Sequence, residues 1–217
     1  MSKAPILIAG FILGAFALSG VGLVAVTHEL TKERIAANER EATLRTLADI
    51  VPQERMDNDP LQDLIEVSDQ ELLGSKTTLV YRVRSGGEPL AVVLNPVVPN
   101  GYAGPIKLLV SVLADGTLGG VRVLSHRETP GLGDQIEITK SDWVLGFDGK
   151  SLGNPPEQKW KVKRDGGVFD QFAGATITPR SIVRTVRNTL RFVRQQGTAL
   201  YDLPARAAAG QSKEESR

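Results

Sequence analysis

The hydroxyl side chains of one short turn are the residues best placed to do chemistry. The stretch DQFAGATITPRS runs from Asp170 to Ser181. A threonine directly before a proline is typical of a helix start, so Thr178 is predicted to be the N-cap and Pro179 to lie in the first turn. Thr176 then precedes the helix, where free N–H groups and the positive end of the helix dipole favour a phosphate.

The residues around these hydroxyls are compatible with a bulky anion. Gly174 and Ala175 allow a large group to approach the backbone closely, because neither has a side chain of any size. Arg180 and Arg184 can add positive charge nearby. The residues alone leave two interpretations open, an anion site and a well-capped turn that binds nothing.

A second candidate is the loop HRETPGLG, from His126 to Gly133. Gly131 and Gly133 permit a tight backbone turn against a flat ring, and Thr129 and backbone amides can form hydrogen bonds with its polar edge. An ordinary surface turn is the alternative, in which His126 and Glu128 are structural.

Composition excludes several kinds of site. The 217 residues contain no cysteine, which excludes disulfides, thiolate zinc sites, iron–sulfur clusters and cysteine nucleophiles. The two histidines, His28 and His126, are too few for a histidine-rich metal centre. The net charge is +1 with acids and bases interspersed, which argues against a nucleic-acid partner.

An uncharged segment near the N-terminus is predicted to cross a membrane. From Ala4 to Val26 the sequence carries no charged residue, and a helix of that length spans the roughly 30 Å hydrocarbon core of a bilayer. A cleaved signal peptide is the alternative, but its apolar region is usually about 7–15 residues long. We therefore interpret residues 1–27 as an uncleaved anchor.

The rest of the chain predicts one α+β domain. Residues 28–60 are interpreted as an amphipathic stalk helix, interrupted at Pro52, and a linker. From Thr77 to Ser125, short apolar runs separated by turn residues predict an antiparallel sheet. The pattern after Pro179 predicts an amphipathic helix that ends at Gly197. The folded domain is assigned to residues 61–204, and residues 205–217 are expected to be disordered.

The turn DQFAGATIT resembles a known flavin-attachment motif. In the FMN-binding domain shared by the G subunit of the Rnf ion-translocating electron transport complex and the C subunit of the sodium-translocating NADH:quinone reductase, a threonine is joined to FMN by a phosphoester bond. The family pattern, roughly Asp-Gly-x-Ser/Thr-Gly-Ala-Thr, implies that Thr176 carries the FMN and that Asp170 is the leading acid. Gln171 and Ala173 depart from the pattern, whereas the Gly-Ala-Thr core matches.

Two further segments support the resemblance. The run from Glu128 to Gly133 resembles the Glu-Thr-Pro-Gly-Leu-Gly loop that lines the flavin in this family, and GYAGPI, from Gly101 to Ile106, resembles the family's lead into a central strand. The resemblance implies cofactor-binding roles for the following residues: Glu128, Thr129, Gly131, Leu132, Gly133, Asp170, Gly174, Ala175 and Thr178, together with Thr176.

The resemblance also implies a function and a location. The expected protein is an α+β flavoprotein subunit, with its FMN-binding domain at residues 61–204, that relays electrons within a membrane complex coupling ferredoxin and NAD chemistry to ion movement. It would be a single-pass protein of the bacterial inner membrane with its domain on the periplasmic side. Its partners would be the other subunits and a flavin transferase that uses FAD. A non-covalent phosphate-ligand or sensor domain and a purely structural membrane subunit remain as alternatives.

Overall fold

The structure is a computed structural model that describes residues 4–205. The chain divides into two compact units between Leu44 and Arg45. The folded unit therefore starts earlier in the chain than residue 61, where the sequence analysis placed its boundary. The reason is that Leu47, Ile50 and Val51, assigned to the stalk, are buried in a hydrophobic cluster with strand residues. Most of the predicted disordered tail lies outside the described residues.

One long helix forms most of the first unit. Helix α1 spans Ala4–Ala48, so the predicted anchor and stalk are a single helix that ends before Pro52. Its segment Leu13–Lys32 has a mean hydropathy of 1.5 and is long and apolar enough to cross a membrane, by length and composition. The side chains of Leu13, Phe16 and Leu18 in that segment are about three-quarters exposed, at 73%, 75% and 77%. This agrees with the predicted apolar anchor helix.

The second unit contains a six-stranded antiparallel sheet, as predicted. The strands are β1 Leu64–Val67, β2 Thr78–Ser85, β3 Glu88–Leu94, β4 Val97–Val98, β5 Ile106–Leu113 and β6 Leu118–Ser125. Strand β5 pairs with β3 and β4 along one edge and with β6 along the other, while β2 and then β1 extend the sheet beyond β3.

Both faces of this sheet are covered by apolar side chains. Successive strand residues point to opposite faces, and the neighbours Val92 and Val93, like Leu108 and Leu109, belong to different buried clusters. One cluster contains side chains of the long helix near the C-terminus, and the other contains Leu47 and its neighbours. This explains why the strand sequences are continuously apolar rather than alternating.

The remaining helices are one long element and several short ones. Helix α3 spans Ile177–Gln196 and buries Ile182, Val183, Val186 and Leu190 at helical spacing against the first cluster, which confirms its predicted apolar face. The other helices are α2 Gln70–Leu73 and α4 Ala199–Asp202, with 3₁₀ turns at Gln53–Arg55, Gly133–Ile136, Asp142–Phe147, Glu157–Lys159 and Lys163–Asp165.

A buried charge cluster holds the segment around α4 against the sheet. Arg82, only 3% exposed, forms an ion pair with Asp63, and Arg84 Nε lies 2.9 Å from the other oxygen of that carboxylate. Both guanidinium groups also donate to the carbonyl of Tyr201, at 3.1 and 3.0 Å, and Arg82 donates to the carbonyl of Leu203. Asp63 thus balances two cations whose remaining donors hold the end of the domain.

Replacing Asp63 with alanine is expected to destabilise the domain by about 3 kcal/mol, because it leaves the buried Arg82 without its counter-ion. Urea unfolding of the full chain in detergent, followed by the fluorescence of its two tryptophans, measures this. The matched control is Glu157→Ala, which breaks pairs with the more exposed Arg191 and Arg194 and should cost less than about 1 kcal/mol. Equal losses for the two variants would contradict the assigned role of Asp63.

Candidate cofactor site

The three predicted motifs meet at the buried carboxylate of Glu128. Its side chain is only 4% exposed. One oxygen, Oε1, accepts a hydrogen bond from the backbone N–H of Ala103 at 3.1 Å, and the other, Oε2, accepts one from the Thr178 hydroxyl at 2.6 Å. The loop before β5, the loop after β6 and the start of α3 are therefore held together by one side chain.

Glycines on two of these loops make room for that carboxylate. A Cβ atom at Gly101 would lie 2.3 Å from the backbone oxygen of Gly104 and 2.8 Å from Glu128 Oε1, and one at Gly133 would lie 2.6 Å from Oε2. Gly131 differs, because a Cβ there would meet no atom within 4 Å but its φ is +77°. Gly133 is required by close packing, whereas Gly131 is required by a left-handed backbone.

The loop around Glu128 is fixed by hydrogen bonds of its own. The backbone N–H of Glu128 donates to His126 Nδ1 at 3.0 Å, and His126 Nε2 lies 2.7 Å from Glu137 Oε1. An accepting Nδ1 requires the proton of the neutral ring to be on Nε2, which can donate to Glu137. The carbonyl of Thr129 accepts from the N–H groups of Leu132 and Gly133, both at 3.1 Å, so the turn is closed while the Thr129 side chain is exposed.

The prediction that Thr178 is the N-cap of α3 is wrong. Helix α3 starts at Ile177, so Thr176 occupies the N-cap position and Thr178 lies within the first turn. Thr178 is fully buried and its hydroxyl donates to Glu128, a residue 50 positions earlier that a local capping pattern does not include. Thr176 is half-buried and its side chain makes no capping hydrogen bond.

Two charged residues near this turn are engaged with other side chains. Arg180 was expected to add charge to the site, but its Nε and Nη2 donate to the two oxygens of Asp165 at 2.7 and 2.9 Å. The hydrogen bond from Arg180 holds the pKa of Asp165 below its ordinary value, so the pair stays ionised. The carboxylate of Asp170 is exposed and lies 2.6 Å from Lys163 Nζ, while its carbonyl accepts from the Trp143 indole at 2.8 Å.

Small and apolar groups are exposed beside Thr176. Gly174 has a φ of +79°, and a Cβ there would lie 3.4 Å from the Cδ2 atom of Leu132, so the turn before α3 contacts the loop after β6. Leu132 and Ile177 are 42% and 47% exposed, and Ala175 is half-buried. Gly174 has no side chain to keep a ligand away from the backbone, and the exposed apolar side chains can pack against a flat aromatic ring.

A separate cavity lies away from this site. It encloses about 530 Å³ and is lined by residues such as Leu190, Val193 and Tyr201, near the C-terminal end of α3. At 1.5 Å per residue, Leu190 and Val193 lie roughly 20–25 Å along the helix from Thr176.

Two residues of this region were not identified from the sequence. Ala103 contributes only its backbone N–H, which no side-chain pattern can reveal. Asp134 follows Gly133 directly, is 7% exposed, and its Oδ1 is buried without a hydrogen-bond partner among the described residues. An aspartate next to a packed glycine loop is a weak signal, and burial is what distinguishes it.

Family models match both parts of the chain. The FMN-binding domain matches residues 101–191, a range that contains all three motifs. The RnfG N-terminal region matches residues 1–50.

Individual relatives match over most of the length. A protein of Pseudomonas aeruginosa (strain UCBPP-PA14) is 52% identical over 182 residues, which are 83% of this chain and 85% of the relative. One of Vibrio atlanticus (strain LGP32) is 43% identical over 90% of this chain and 93% of its own length. One of Shewanella baltica (strain OS223) is 40% identical over 95% of this chain and 98% of its own length. Each is named as the G subunit of an ion-translocating oxidoreductase complex, and this chain belongs to that family of G subunits.

Proposed function

We propose that this chain is the membrane-anchored G subunit of an ion-translocating oxidoreductase complex, and that it relays electrons through an FMN joined to Thr176 by a phosphoester bond. The observation that carries this proposal is the position of Thr176. Its hydroxyl makes no capping hydrogen bond at the start of α3, whereas the neighbouring Thr178 hydroxyl is buried on Glu128. Of the two threonines, only Thr176 has a hydroxyl suited to carry a large group.

The residues around Thr176 fit FMN. The first N–H groups of α3 suit its phosphate. The isoalloxazine ring can approach the backbone at Gly174, which has no side chain, and can pack against the exposed Leu132. Thr129, whose side chain is exposed on the adjacent loop, can form hydrogen bonds with polar atoms of the cofactor. When bound, FMN supplies the electron-transfer chemistry, and the protein supplies position and electrostatic surroundings.

Attachment requires a separate flavin transferase and FAD. The Oγ atom of Thr176 would form a bond to the phosphorus of the FMN half of FAD, the pyrophosphate P–O bond would break, AMP would leave, and the hydroxyl proton would be released. The partly exposed position of Thr176 leaves its hydroxyl within reach of such an enzyme. A covalent bond also has a physical rationale, because a domain on the periplasmic side cannot recover lost FMN from the cytoplasm.

The other proposed partners are the remaining subunits of the complex and the bilayer. The apolar segment Leu13–Lys32 would anchor the chain in the bacterial inner membrane. The relatives are named as subunits of a complex, which supports an electron relay between subunits rather than a stand-alone enzyme.

Thr176→Ala, co-expressed with flavin transferase, is expected to abolish the FMN adduct and leave the domain folded, because its side chain makes no capping hydrogen bond. Thr178→Ala is expected to retain Thr176 as the FMN attachment residue. It should destabilise the domain by about 1–3 kcal/mol, since Glu128 Oε2 loses its hydroxyl donor. Mass spectrometry of tryptic peptides locates the adduct, and urea unfolding measures stability.

Thr178→Ser is the matched control, because it keeps the hydroxyl and should retain most of the stability. An adduct on Thr178, or full loading of the Thr176→Ala protein, would show that Thr176 is not the acceptor.

The two glycines of the loop are expected to differ in their effects. Gly133→Ala places a methyl group against Glu128 and should cost about 3 kcal/mol and reduce flavin loading, because the carboxylate must move away from Thr178. Gly131→Ala meets no neighbour and should cost only the roughly 1–2 kcal/mol of a left-handed alanine. Unfolding free energies of both variants test this order, and a larger loss at Gly131 would refute it.

The proposed topology is tested with two reporters fused after Arg217. Alkaline phosphatase reaches its active fold only in the periplasm, so its fusion is expected to be active. Green fluorescent protein exported by the same route is expected to be non-fluorescent. The opposite pair of results would place the domain in the cytoplasm.

A further inference from the structure

The second half of strand β6 is an open edge of the sheet. Among the described strands, β6 pairs only with β5. Its first residue, Leu118, donates to the carbonyl of Lys150 and accepts from the N–H of Gly149, both at 2.8 Å, so a loop covers the edge there. Residues 119–125 form no backbone hydrogen bond with any described segment other than β5. Alternate N–H and C=O groups of this half therefore face outward without a strand partner.

A groove runs beside this open edge. It encloses about 400 Å³ and is lined by residues 122–126 on one side and by residues 137–139 on the other. Successive strand residues point to opposite faces of a sheet, so four consecutive strand residues in the lining place the groove along the edge rather than over one face. Leu124 and Ile138, one from each side, are 46% and 45% exposed.

The two sides of the groove are held together by hydrogen bonds. His126 Nε2 lies 2.7 Å from Glu137 Oε1, and His126 Nδ1 accepts from the backbone N–H of Glu128 at 3.0 Å. The turn that contains Ile138 is therefore fixed relative to the end of β6 and to the loop of the cofactor site. A groove that is already formed loses little conformational entropy when it is occupied.

The chemistry of the groove specifies an extended peptide. Outward N–H and C=O groups of a strand are satisfied by another extended backbone, which is how open sheet edges recognise peptides. The exposed side chains of Leu124 and Ile138 add an apolar contact for a side chain of such a segment. A small polar ligand would satisfy neither the row of backbone groups nor the apolar pair.

The edge is short, which bears on the kind of partner. The register between β5 and β6 shifts between Lys107 and Leu108 and again between Ser111 and Val112. The regular ladder is therefore confined to residues 120–123 of β6, an edge of about 13 Å at about 3.3 Å per residue. Irregularities of this kind protect a sheet from open-ended stacking of its own copies. A single short strand from a different protein fits this edge better.

We propose that residues 122–125 bind an extended segment of another subunit of the complex as an added strand, with an apolar side chain of that segment between Leu124 and Ile138. Relatives of this chain are named as subunits of an ion-translocating oxidoreductase complex, which supplies the class of partner. The inference goes beyond the proposed flavin relay and does not require flavin attachment. Because His126 hydrogen-bonds to the N–H of Glu128, the bound segment would lie next to the cofactor loop.

The test places the photo-crosslinking residue p-benzoylphenylalanine at position 124 or, separately, at position 138 of the full chain, expressed with the other subunits of its complex. Both positions are expected to crosslink to one short segment of the same subunit, located by mass spectrometry after irradiation of membranes. Val168 is the matched control position, because it is apolar, 38% exposed and outside the groove. It should not crosslink to that segment.

Hydrogen exchange distinguishes an added strand from a contact between side chains. Peptides covering residues 120–126 are expected to exchange about tenfold more slowly in the purified complex than in the isolated chain in detergent, because outward N–H groups gain partners. Leu124→Lys places a charge on the edge and should abolish both the slowed exchange and the crosslink from position 138. Val168→Lys should retain both. The Tm of the isolated chain should be unchanged in each variant, since both side chains are exposed.

Three results would overturn the proposal. Crosslinks from positions 124 and 138 only to a second copy of this chain would indicate a homodimer. Crosslinks to another subunit without slowed exchange would show that no strand is added. Absence of both signals in the intact complex would show that the edge remains open. None of these results bears on the flavin, because the mass of the FMN adduct on Thr176 is measured separately on the same protein.

Discussion

The candidate site depends on a carboxylate that must be satisfied inside the protein. Glu128 is excluded from water, so both of its oxygens need donors, and these come from Ala103 and Thr178 on two other segments. The requirement extends to the glycines, because Gly101 and Gly133 must leave space for the same group. Once the carboxylate is placed, the lead into β5, the loop after β6 and the first turn of α3 have fixed positions relative to one another.

The sheet explains why these three segments can meet. Strands β5 and β6 are paired neighbours, so the residues before β5 and the residues after β6 leave the sheet at the same end. Helix α3 packs its apolar face on one side of the sheet, and its N-terminal turn lies against that end. The site is thus the place where two strand ends and one helix start coincide.

The sequence was sufficient wherever a local pattern determined the structure. The apolar run near the N-terminus, the antiparallel strands and the buried face of α3 were all predicted from residue periodicity. The N-cap of α3 was predicted wrongly, because a local capping rule cannot include Glu128, which lies 50 residues away in sequence. The start of the folded unit was missed for a similar reason, since Leu47 and Ile50 form the same helical pattern whether they contact a partner helix or a sheet. No sequence pattern singles out Asp134, which only its burial in the structure distinguishes from other aspartates.

The strand order also bears on the sequence of events during folding. Most strand pairs are consecutive along the chain, and such short connections close with little loss of entropy. The contact between Glu128 and Thr178 instead closes a long segment that contains several 3₁₀ turns. We therefore expect the sheet to form first and the threonine turn to reach its final position late. A nascent or misfolded chain would lack that arrangement, so attachment of a prosthetic group at this turn would mark the molecules that have completed folding.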